Sequence, residues 1–339
     1  MVRPWCQAVF AGENSKEKVV KIAALGEVMV ELAPQETAPG GAPLYAQGFA
    51  GDTYNTAVYM ARSGLPVSYV TLLGDDLFSE QMLVAMKGEG IDTSVIERLP
   101  GRCPGLYTIQ NSADGERYFT YWRGESAARE LFSGARSRER LQIYLQGMDY
   151  LYLTGITLAI MGLEARKHLL TFLADFRSAG GRVAFDSNFR PRLWRSKDEA
   201  RETLSACLRQ ADIALLTLED EQALWGDRNA GRCIERNSRH GVEELVLKRG
   251  AEPVLLQYDG ELNAIPVPPV QDIVDTTGAG DAFNAGYLAA RLQGREPARA
   301  VIAGNRCAAA VIRHRGAIIP AADCFPEDRP PAEAAHAWQ

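Results

Sequence analysis

The chain has 339 residues, of which 46% are hydrophobic, 8% aromatic and 24% charged. This composition is typical of a globular protein and excludes the disordered, collagen-like and disulfide-scaffold classes. The sequence contains 37 Lys and Arg residues against 43 Asp and Glu, a formal charge of −6 with both signs interspersed, so it predicts neither a nucleic-acid partner nor a membrane-surface partner.

The two ends of the chain differ from its middle. Residues 1–20 contain a semi-apolar run that is too short for a signal peptide, so we predict a poorly ordered extension and a cytoplasmic protein. Residues 325–339 are rich in Pro, Ala, Glu and Asp and predict a tail with little burial. No uncharged stretch reaches the roughly 18 apolar residues that a membrane span needs.

From Lys21 onward, short apolar runs alternate with helical patterns. Several runs are too continuously apolar to have a solvent-exposed face, which is typical of strands covered on both sides. The order predicts an α/β fold with a mainly parallel sheet and helices on both of its faces. The predicted strands are VVKIAALGEVMVEL, PVSYVTLLG, YLYLTGI, RVAFDSN, DIALLTL and EELVLKRG, and the predicted helices are 53–63, 79–88, 162–179, 197–209, 219–225, 282–292 and 298–313.

A predicted β-hairpin interrupts this alternation, with GLYTIQ and RYFTYWR as its strands and NSADGE between them. A three-residue loop at 113–115 places Tyr107 opposite Tyr121, on the face that carries Arg123. A two-residue Asp-Gly turn reverses this parity, and we favour the three-residue loop. Such a hairpin is either a lid over a polar ligand or an edge hairpin that packs on its own domain.

Polar segments follow the predicted strand ends, where sheets of this kind bind ligands. The strongest of these signals is VDTTGAGDAFNAGYLAARL, at 274–292, after the strand-like IPVPPVQDIV. Its small residues predict a tight turn, after which Asp281 opens an apolar helix. The backbone N–H groups of Gly278, Ala279 and Gly280 would then point into one concavity at the positive end of that helix, which is an anion site.

This glycine-rich run has three interpretations. It is a helix N-cap in which Asp or Thr satisfies free N–H groups, a dinucleotide-binding turn, or a phosphoryl-transfer site. The second requires GxGxxG, and here the third glycine falls at Gly286. The third also explains Asp281, because in phosphoryl transfer one carboxylate accepts the proton of the acceptor hydroxyl. At the positive end of a helix we expect Asp281 to stay ionised at neutral pH.

DTTGAGDAFNAGYL resembles the C-terminal signature of the PfkB, or ribokinase-like, sugar kinases. The similarity runs from Lys21 to Pro320 and includes GDTYNTAVYMARSG, FDSNFRPRLW, LTLEDEQALWG, LKRGAE and RGAIIP. It implies a ribokinase-like three-layer fold, with a kinase domain at 21–324 and a small β lid from about 31–50 and 102–125. It also implies that the protein uses ATP and that it forms a homo-oligomer. Together the segments are similar to the branch that phosphorylates the terminal hydroxyl of 2-keto-3-deoxygluconate in uronate or gluconate catabolism.

The resemblance implies a role for each matching residue. Asp281 is the catalytic base, Gly278, Ala279 and Gly280 form the anion hole, and Arg190 reaches substrate and phosphate. The positions that match substrate-binding residues are Gly51, Asp52, Asn55, Tyr107, Tyr121 and Arg123. The positions that match the nucleotide site are Asn188, Thr217, Lys248, Gly250 and Asn305, together with Gly278 and Gly280.

Two segments depart from the family's pattern. The usual pair of glycines before the sugar-binding stretch is Ala50-Gly51 here, and the added methyl group could alter hydroxyl contacts. The family's NxxE element, linked to magnesium, appears as 217–220, so we expect Mg²⁺ to be held chiefly by ATP phosphates and water, with Asp220 or Glu219 in an outer role. The alternative for these acidic residues is a solvated helix start. The sequence leaves a monovalent cation open.

Arg123 and Arg190 are planar forks suited to a carboxylate and a phosphate, which favours a sugar acid as the substrate. For either arginine the alternative is a structural ion pair. Two other functions are kept beside the sugar-acid kinase. One is a PfkB-family kinase of a neutral sugar such as fructose, and the other is a non-catalytic sugar-acid sensor.

Overall fold

The computed structural model describes residues 19–35, 41–111 and 117–324. The predicted C-terminal tail, and the predicted N-terminal extension apart from Val19 and Val20, lie outside these residues. The strands are β1 (Ile22–Leu25), β2 (Met29–Pro34), β3 (Tyr45–Ala50), β4 (Val67–Val70), β5 (Leu72–Leu73), β6 (Glu97–Arg98), β7 (Gly105–Asn111), β8 (Arg117–Trp122), β9 (Tyr150–Thr154), β10 (Arg182–Asp186), β11 (Ile213–Thr217), β12 (Glu244–Lys248), β13 (Val254–Tyr258) and β14 (Glu261–Ile265). The α-helices are α1 (Asp52–Arg62), α2 (Leu77–Gly88), α3 (Ala135–Leu145), α4 (Gly155–Ile160), α5 (Leu163–Ser178), α6 (Lys197–Leu208), α7 (Leu218–Trp225), α8 (Ala230–Ser238), α9 (Ala279–Leu292) and α10 (Pro297–Val311).

The main sheet has eight strands in the order β14-β13-β12-β11-β10-β9-β1-β4. The pairs from β12 to β4 are parallel, and β13 and β14 extend that edge in antiparallel pairing. Side chains alternate between two cores: in β9, Leu151 and Leu153 pack with α5 and α6, whereas Tyr152 packs with α1 and α9. Burial on both faces explains the continuous apolar runs. The predicted α/β fold, with a mainly parallel sheet between two helical layers, is confirmed.

A second sheet has the order β3-β2-β7-β8. β2 pairs antiparallel with β3 and parallel with β7, and β7 pairs antiparallel with β8. Tyr107 lies opposite Tyr121, which confirms the strand register predicted for the hairpin. The loop itself, at 112–116, lies outside the described residues. Apart from the first two residues of β2, the strands of this sheet fall within the two stretches from which the lid was predicted.

The prediction of one continuous strand in VVKIAALGEVMVEL was wrong. The chain leaves the main sheet after β1, and β2 belongs to the second sheet. The break falls at Gly26, where a Cβ would lie 2.1 Å from the Thr53 hydroxyl oxygen, so only glycine lets α1 approach this closely. This crossing connects the two sheets, and Glu27 lies directly beside it.

The prediction of a strand in IPVPPVQDIV was also wrong. β14 ends at Ile265, and Pro266, Pro268 and Pro269 follow, none of which can donate a backbone hydrogen bond to a sheet. The described helices contain none that is both long and apolar enough to cross a membrane.

Candidate active site

The predicted site residues converge at the carboxyl edge of the main sheet. The strand register places the ends of β9 and β10 side by side at Thr154 and Asp186, and those of β11 and β12 at Thr217 and Lys248. The first turns of α1 and α9 face this edge, because the Asn55 amide of α1 donates a hydrogen bond to a side chain of α9. The polar segments predicted at strand ends are therefore neighbours in space.

The glycine-rich turn before α9 is held by Asp275. One Asp275 carboxylate oxygen accepts the Thr277 N–H at 3.0 Å and the Thr277 hydroxyl at 2.8 Å, and the other accepts the Gly316 N–H at 2.7 Å. Gly278 is the N-cap of α9 and has a left-handed backbone, with φ +74°. No side chain caps the helix, so the interpretation of this run as an ordinary Asp or Thr N-cap is wrong.

α9 begins at Ala279, earlier than predicted, so Asp281 lies within its first turn instead of opening it. This start changes the predicted set of anion donors. The Ala279 N–H donates to the Thr276 carbonyl at 3.2 Å, whereas within the described chain the N–H groups of Gly278 and Gly280 have no partner. The two glycines, at the positive end of the helix, are the donors that an anion can reach.

Asp281 is oriented by α1. Its carboxylate accepts a hydrogen bond from the Asn55 amide at 2.8 Å, and its carbonyl oxygen accepts one from the Thr56 hydroxyl at 3.2 Å. Burial, and after it the nearby negative charge of Asp52, raises the pKa of Asp281 to about 7. The expectation that Asp281 stays ionised at neutral pH was wrong, because burial and the carboxylates of Asp52 and Asp186 disfavour its charged form.

Asp52 lies beside this carboxylate at the start of α1. It accepts the Thr154 hydroxyl at 2.5 Å and the Asn188 amide at 2.8 Å. Burial raises the pKa of Asp52. Gly51 precedes it at the N-cap of α1, where a Cβ would lie 2.2 Å from the Glu27 carbonyl oxygen, so a side chain at Gly51 would push α1 away. The structure thus places Asn188, predicted for the nucleotide site, against Asp52.

The second sheet contributes Tyr107 and Tyr121, and Arg123 directly follows its strand β8. Arg123 forms a buried ion pair with Glu27, and its guanidinium lies 5.9 Å from the centre of the Tyr121 ring. The Tyr107 hydroxyl donates to Glu31, and burial raises its pKa. The charges of Arg123 and Asp281 act on these tyrosines, so the sheet faces the same cleft as α1 and α9.

Arg190 lies at the rim of this cleft. Its guanidinium pairs with Asp220 at 3.2 Å and remains half-exposed, while the Glu219 side chain is exposed. Arg190 and Arg123 both lower the pKa of Asp52 through their charge, so both lie within electrostatic reach of it. Both arginines are in ion pairs, the alternative considered for them, but Arg190 keeps much of its surface open.

The remaining residues predicted for the nucleotide site have different environments. Lys248 is buried against Asp186, Thr217 is the N-cap residue of α7 but its side chain makes no capping hydrogen bond, and Gly250 has a left-handed backbone, with φ +58°. Asn305 is buried in α10 and donates to the Pro266 carbonyl at 3.3 Å, which fixes the segment that leads to the glycine turn. Of these residues, the structure brings Lys248 alone into hydrogen-bond networks near Asp281.

Sequence reasoning missed several polar residues of this cleft. Asp186 and Asn284 bond to each other at 2.6 Å and to Lys248, and Glu27 holds Arg123. Asn284 follows Asp281 by one helical turn, a spacing that could have signalled a shared face. Glu27 carried no such signal, because its partner comes from a distant strand.

The model of the pfkB family carbohydrate kinases matches residues 19–324. The 2-dehydro-3-deoxygluconokinase of Escherichia coli (strain K12) is 46% identical over 308 residues, which are 88% of this chain and 97% of the relative. That of Dickeya dadantii is 45% identical over 307 residues, 88% of this chain and 96% of the relative. The solved structure of a putative ribokinase II from E. coli in complex with ATP and Mg²⁺ has a TM-score of 0.76 at 23% identity, covers 88% of this chain and 94% of its own, and shares the fold. The chain belongs to the pfkB family of carbohydrate kinases.

Proposed function

We propose that this protein transfers the γ-phosphoryl group of ATP to the terminal hydroxyl of 2-keto-3-deoxygluconate, giving 2-keto-3-deoxy-6-phosphogluconate. The observation that carries the proposal is the Asp281 carboxylate, held by Asn55 next to the two free N–H groups of the glycine turn. The names of the relatives from E. coli and D. dadantii support this substrate.

Asp281 is the proposed base. Its carboxylate accepts the proton of the acceptor hydroxyl as that oxygen bonds to the γ-phosphorus and the bond from that phosphorus to the bridging oxygen of ADP breaks. Asn55 holds the carboxylate in place, which makes the reaction effectively intramolecular. The N–H groups of Gly278 and Gly280 face the developing charge on the transferred group, which they stabilise together with the helix end.

The arginines explain the preference for an acid. Arg123 and Arg190 bring two positive charges to the side of the cleft that holds Asp52. A keto-acid offers these two arginines a carboxylate in addition to Glu27 and Asp220, whereas a neutral sugar offers them no anionic group. Tyr107 and Tyr121 supply hydroxyl groups and ring surface on the same face of the second sheet, which we propose acts as the lid.

We propose that Asp220, or its neighbour Glu219, assists a magnesium ion in an outer role. The Asp220 carboxylate is partly buried, burial raises its pKa, and Arg190 is its cationic partner. One such carboxylate fits an ion held mostly by water and phosphate oxygens, and the exposed Glu219 adds a second negative charge beside it. Mg²⁺ bound with ATP would offset phosphate charge. A monovalent cation, the homo-oligomeric state and the cytoplasmic location stay predictions.

The substrate is tested by coupled measurement of ADP release over a panel of sugar acids and neutral sugars. We expect the highest kcat/KM with 2-keto-3-deoxygluconate, and we expect Arg123→Ala to raise KM for the acid roughly 10- to 100-fold while KM for fructose changes little. Arg123→Ala leaves the buried Glu27 carboxylate without its cationic partner. The double variant Glu27→Gln, Arg123→Met removes both charges of the pair and so tests Arg123 without this effect.

Arg102→Ala is the matched control. This arginine pairs with Glu125 and Glu130 instead of a residue of the cleft. Equal losses for acid and neutral sugar in the Arg123 variants would refute the carboxylate contact. Higher turnover of fructose would identify a neutral-sugar kinase instead, and tight binding of the keto-acid without turnover would identify a sensor.

The proton affinity of Asp281 predicts how activity depends on pH. Because a base must be ionised and burial raises the pKa of Asp281 to about 7, kcat/KM for the acceptor should fall below that pH, approaching about tenfold per pH unit. The measurement is a profile at saturating ATP, since kcat/KM reports groups of the enzyme before the acceptor binds. A profile that stays flat down to about pH 5 would contradict a base in this environment.

A further inference from the structure

Asp186 is the centre of a buried hydrogen-bond network behind the glycine turn. It ends β10 and is 4% exposed. One carboxylate oxygen accepts the Asn284 amide at 2.6 Å and the Lys248 ammonium at 3.1 Å, and the other accepts the Asn188 backbone N–H at 3.0 Å. A carboxylate this deeply buried is stable only because both oxygens are hydrogen-bonded and one partner is charged.

One arm of the network leads to Asp281. Asn284 follows Asp281 by one turn of α9, is completely buried, and accepts the Lys248 ammonium at 2.8 Å. A Cβ built on Gly280 would lie 3.8 Å from the Lys248 nitrogen, so this charge lies directly behind the proposed anion site. Asp186 therefore fixes the position of a positive charge that the transferred group would experience.

The other arm leads to Asp52. Asn188 has a positive φ of 32°, an uncommon conformation that the bond from its N–H to Asp186 stabilises. In this conformation its amide donates to Asp52 at 2.8 Å. A single carboxylate thus positions groups on both sides of the proposed reaction.

We propose that Asp186 is a positioning residue for phosphoryl transfer, which holds Lys248 and Asn284 behind Asp281 and holds Asn188 against Asp52. This inference rests on the proposed function and names the part of the protein that maintains its geometry. The charge of Asp186 opposes ionisation of Asp281, and the charge of Lys248 favours it.

Other groups also face Asp281. α10 packs on α9 further along, where Gly304 contacts Phe283 and Cys307 contacts Gly286. The titratable groups around Asp281 are Asp52 of α1, Tyr107 of β7, Tyr152 of β9, Asp186 of β10 and Lys248 of β12.

The test compares three variants by their pH profiles of kcat/KM for the keto-acid. Asp186→Asn should lower kcat roughly 10- to 100-fold, because the groups that Asp186 positions shift. It should also lower the apparent pKa below which kcat/KM falls, by about half a unit to one unit. Lys248→Met removes the opposite charge and should raise this apparent pKa. The double variant removes both charges and should return the apparent pKa towards that of the wild type.

Asp212→Asn is the matched control. Asp212 is 5% exposed and pairs with Arg177 at 2.7 Å. It directly precedes β11, at the amino end of that strand, whereas Asp186 lies at the carboxyl end of the neighbouring β10. Asp212→Asn should lower the thermal unfolding temperature without changing the apparent pKa of the kcat/KM profile. An equal shift in this control, or shifts of the same sign in Asp186→Asn and Lys248→Met, would overturn the inference.

A second measurement does not depend on turnover. The ¹³C chemical shift of the Asp281 carboxyl group, followed by NMR against pH, should show the same opposite displacements in the two single variants. An unmoved titration would refute the role of Asp186 even if the wild type phosphorylates the keto-acid. Conversely, opposite displacements in a protein inactive on the whole panel would leave the network established and the proposed function refuted. Should Asp186→Asn fail to fold, Lys248→Met decides by the sign of its shift.

Discussion

Replacing Asp281 with Asn should lower kcat by roughly 10²- to 10⁴-fold, with much smaller changes in KM for ATP and for the keto-acid. The amide has the same shape and can still bond to Asn55 after a flip, but it cannot take the proton of the acceptor hydroxyl. The residual rate then reflects the positioning and charge stabilisation that the glycine turn supplies. The measurement is keto-acid-dependent ADP release at saturating concentrations of both substrates.

Asp198→Asn is the control for this change. Asp198 also lies in the first turn of a helix, α6, but it is exposed and pairs with Arg201 at 3.0 Å. It should leave kcat unchanged, which separates loss of a base from loss of charge at a helix start. Retention of more than about a tenth of wild-type kcat in Asp281→Asn would exclude this carboxylate as the base.

The main sheet could be predicted from the sequence because burial on both faces requires a continuous apolar run in each strand. YLYLTGI and DIALLTL contain the continuous, mostly apolar runs in which β9 and β11 lie. The separation of β1 from β2 has no comparable pattern in the local sequence. Both strands are apolar, and what separates them is the contact of Gly26 with Thr53, which exists only once α1 is packed.

Helices with few buried positions were missed for a related reason. α3, with the sequence ARSRERLQIYL, buries only Leu141 and Leu145, so its apolar pattern is too sparse to stand out. The antiparallel edge formed by β13 and β14 was also not predicted. β14 is mostly exposed, and its alternation is correspondingly weak.

For the candidate site, the local motif identified Asp281 and the glycine turn, whereas the protonation state of Asp281 depends on residues that are distant in the sequence. The helix end alone predicts an ionised carboxylate, and Asp52 and Asp186, which oppose ionisation, come from α1 and β10. The Ala279 N–H was expected to bind an anion, but the turn uses it for the Thr276 carbonyl. Local sequence thus identifies which residues meet, and packing decides what each of them can donate or accept.

Gly278→Ala tests the turn itself and should lower kcat roughly 10²- to 10³-fold, the usual cost of losing a backbone donor to a developing anion. Gly278 has φ +74°, and a Cβ would lie 2.8 Å from both Cα and Cβ of Ala317. The backbone of the turn must therefore move, and its N–H groups move with it. The left-handed conformation adds a strain of about 1–2 kcal/mol, which should appear as a lower thermal unfolding temperature.

Gly294→Ala separates the strain from the displacement of the turn. Gly294 follows the other end of α9, has φ +82°, and has open space where its Cβ would be. It should therefore lower the unfolding temperature through strain alone and leave kcat unchanged. If Gly278→Ala stayed within about threefold of wild-type kcat while losing similar stability, the N–H groups of this turn would not be the donors that stabilise the transferred phosphoryl group. A kcat loss confined to Gly278→Ala assigns that stabilisation to the backbone between Thr277 and Asp281.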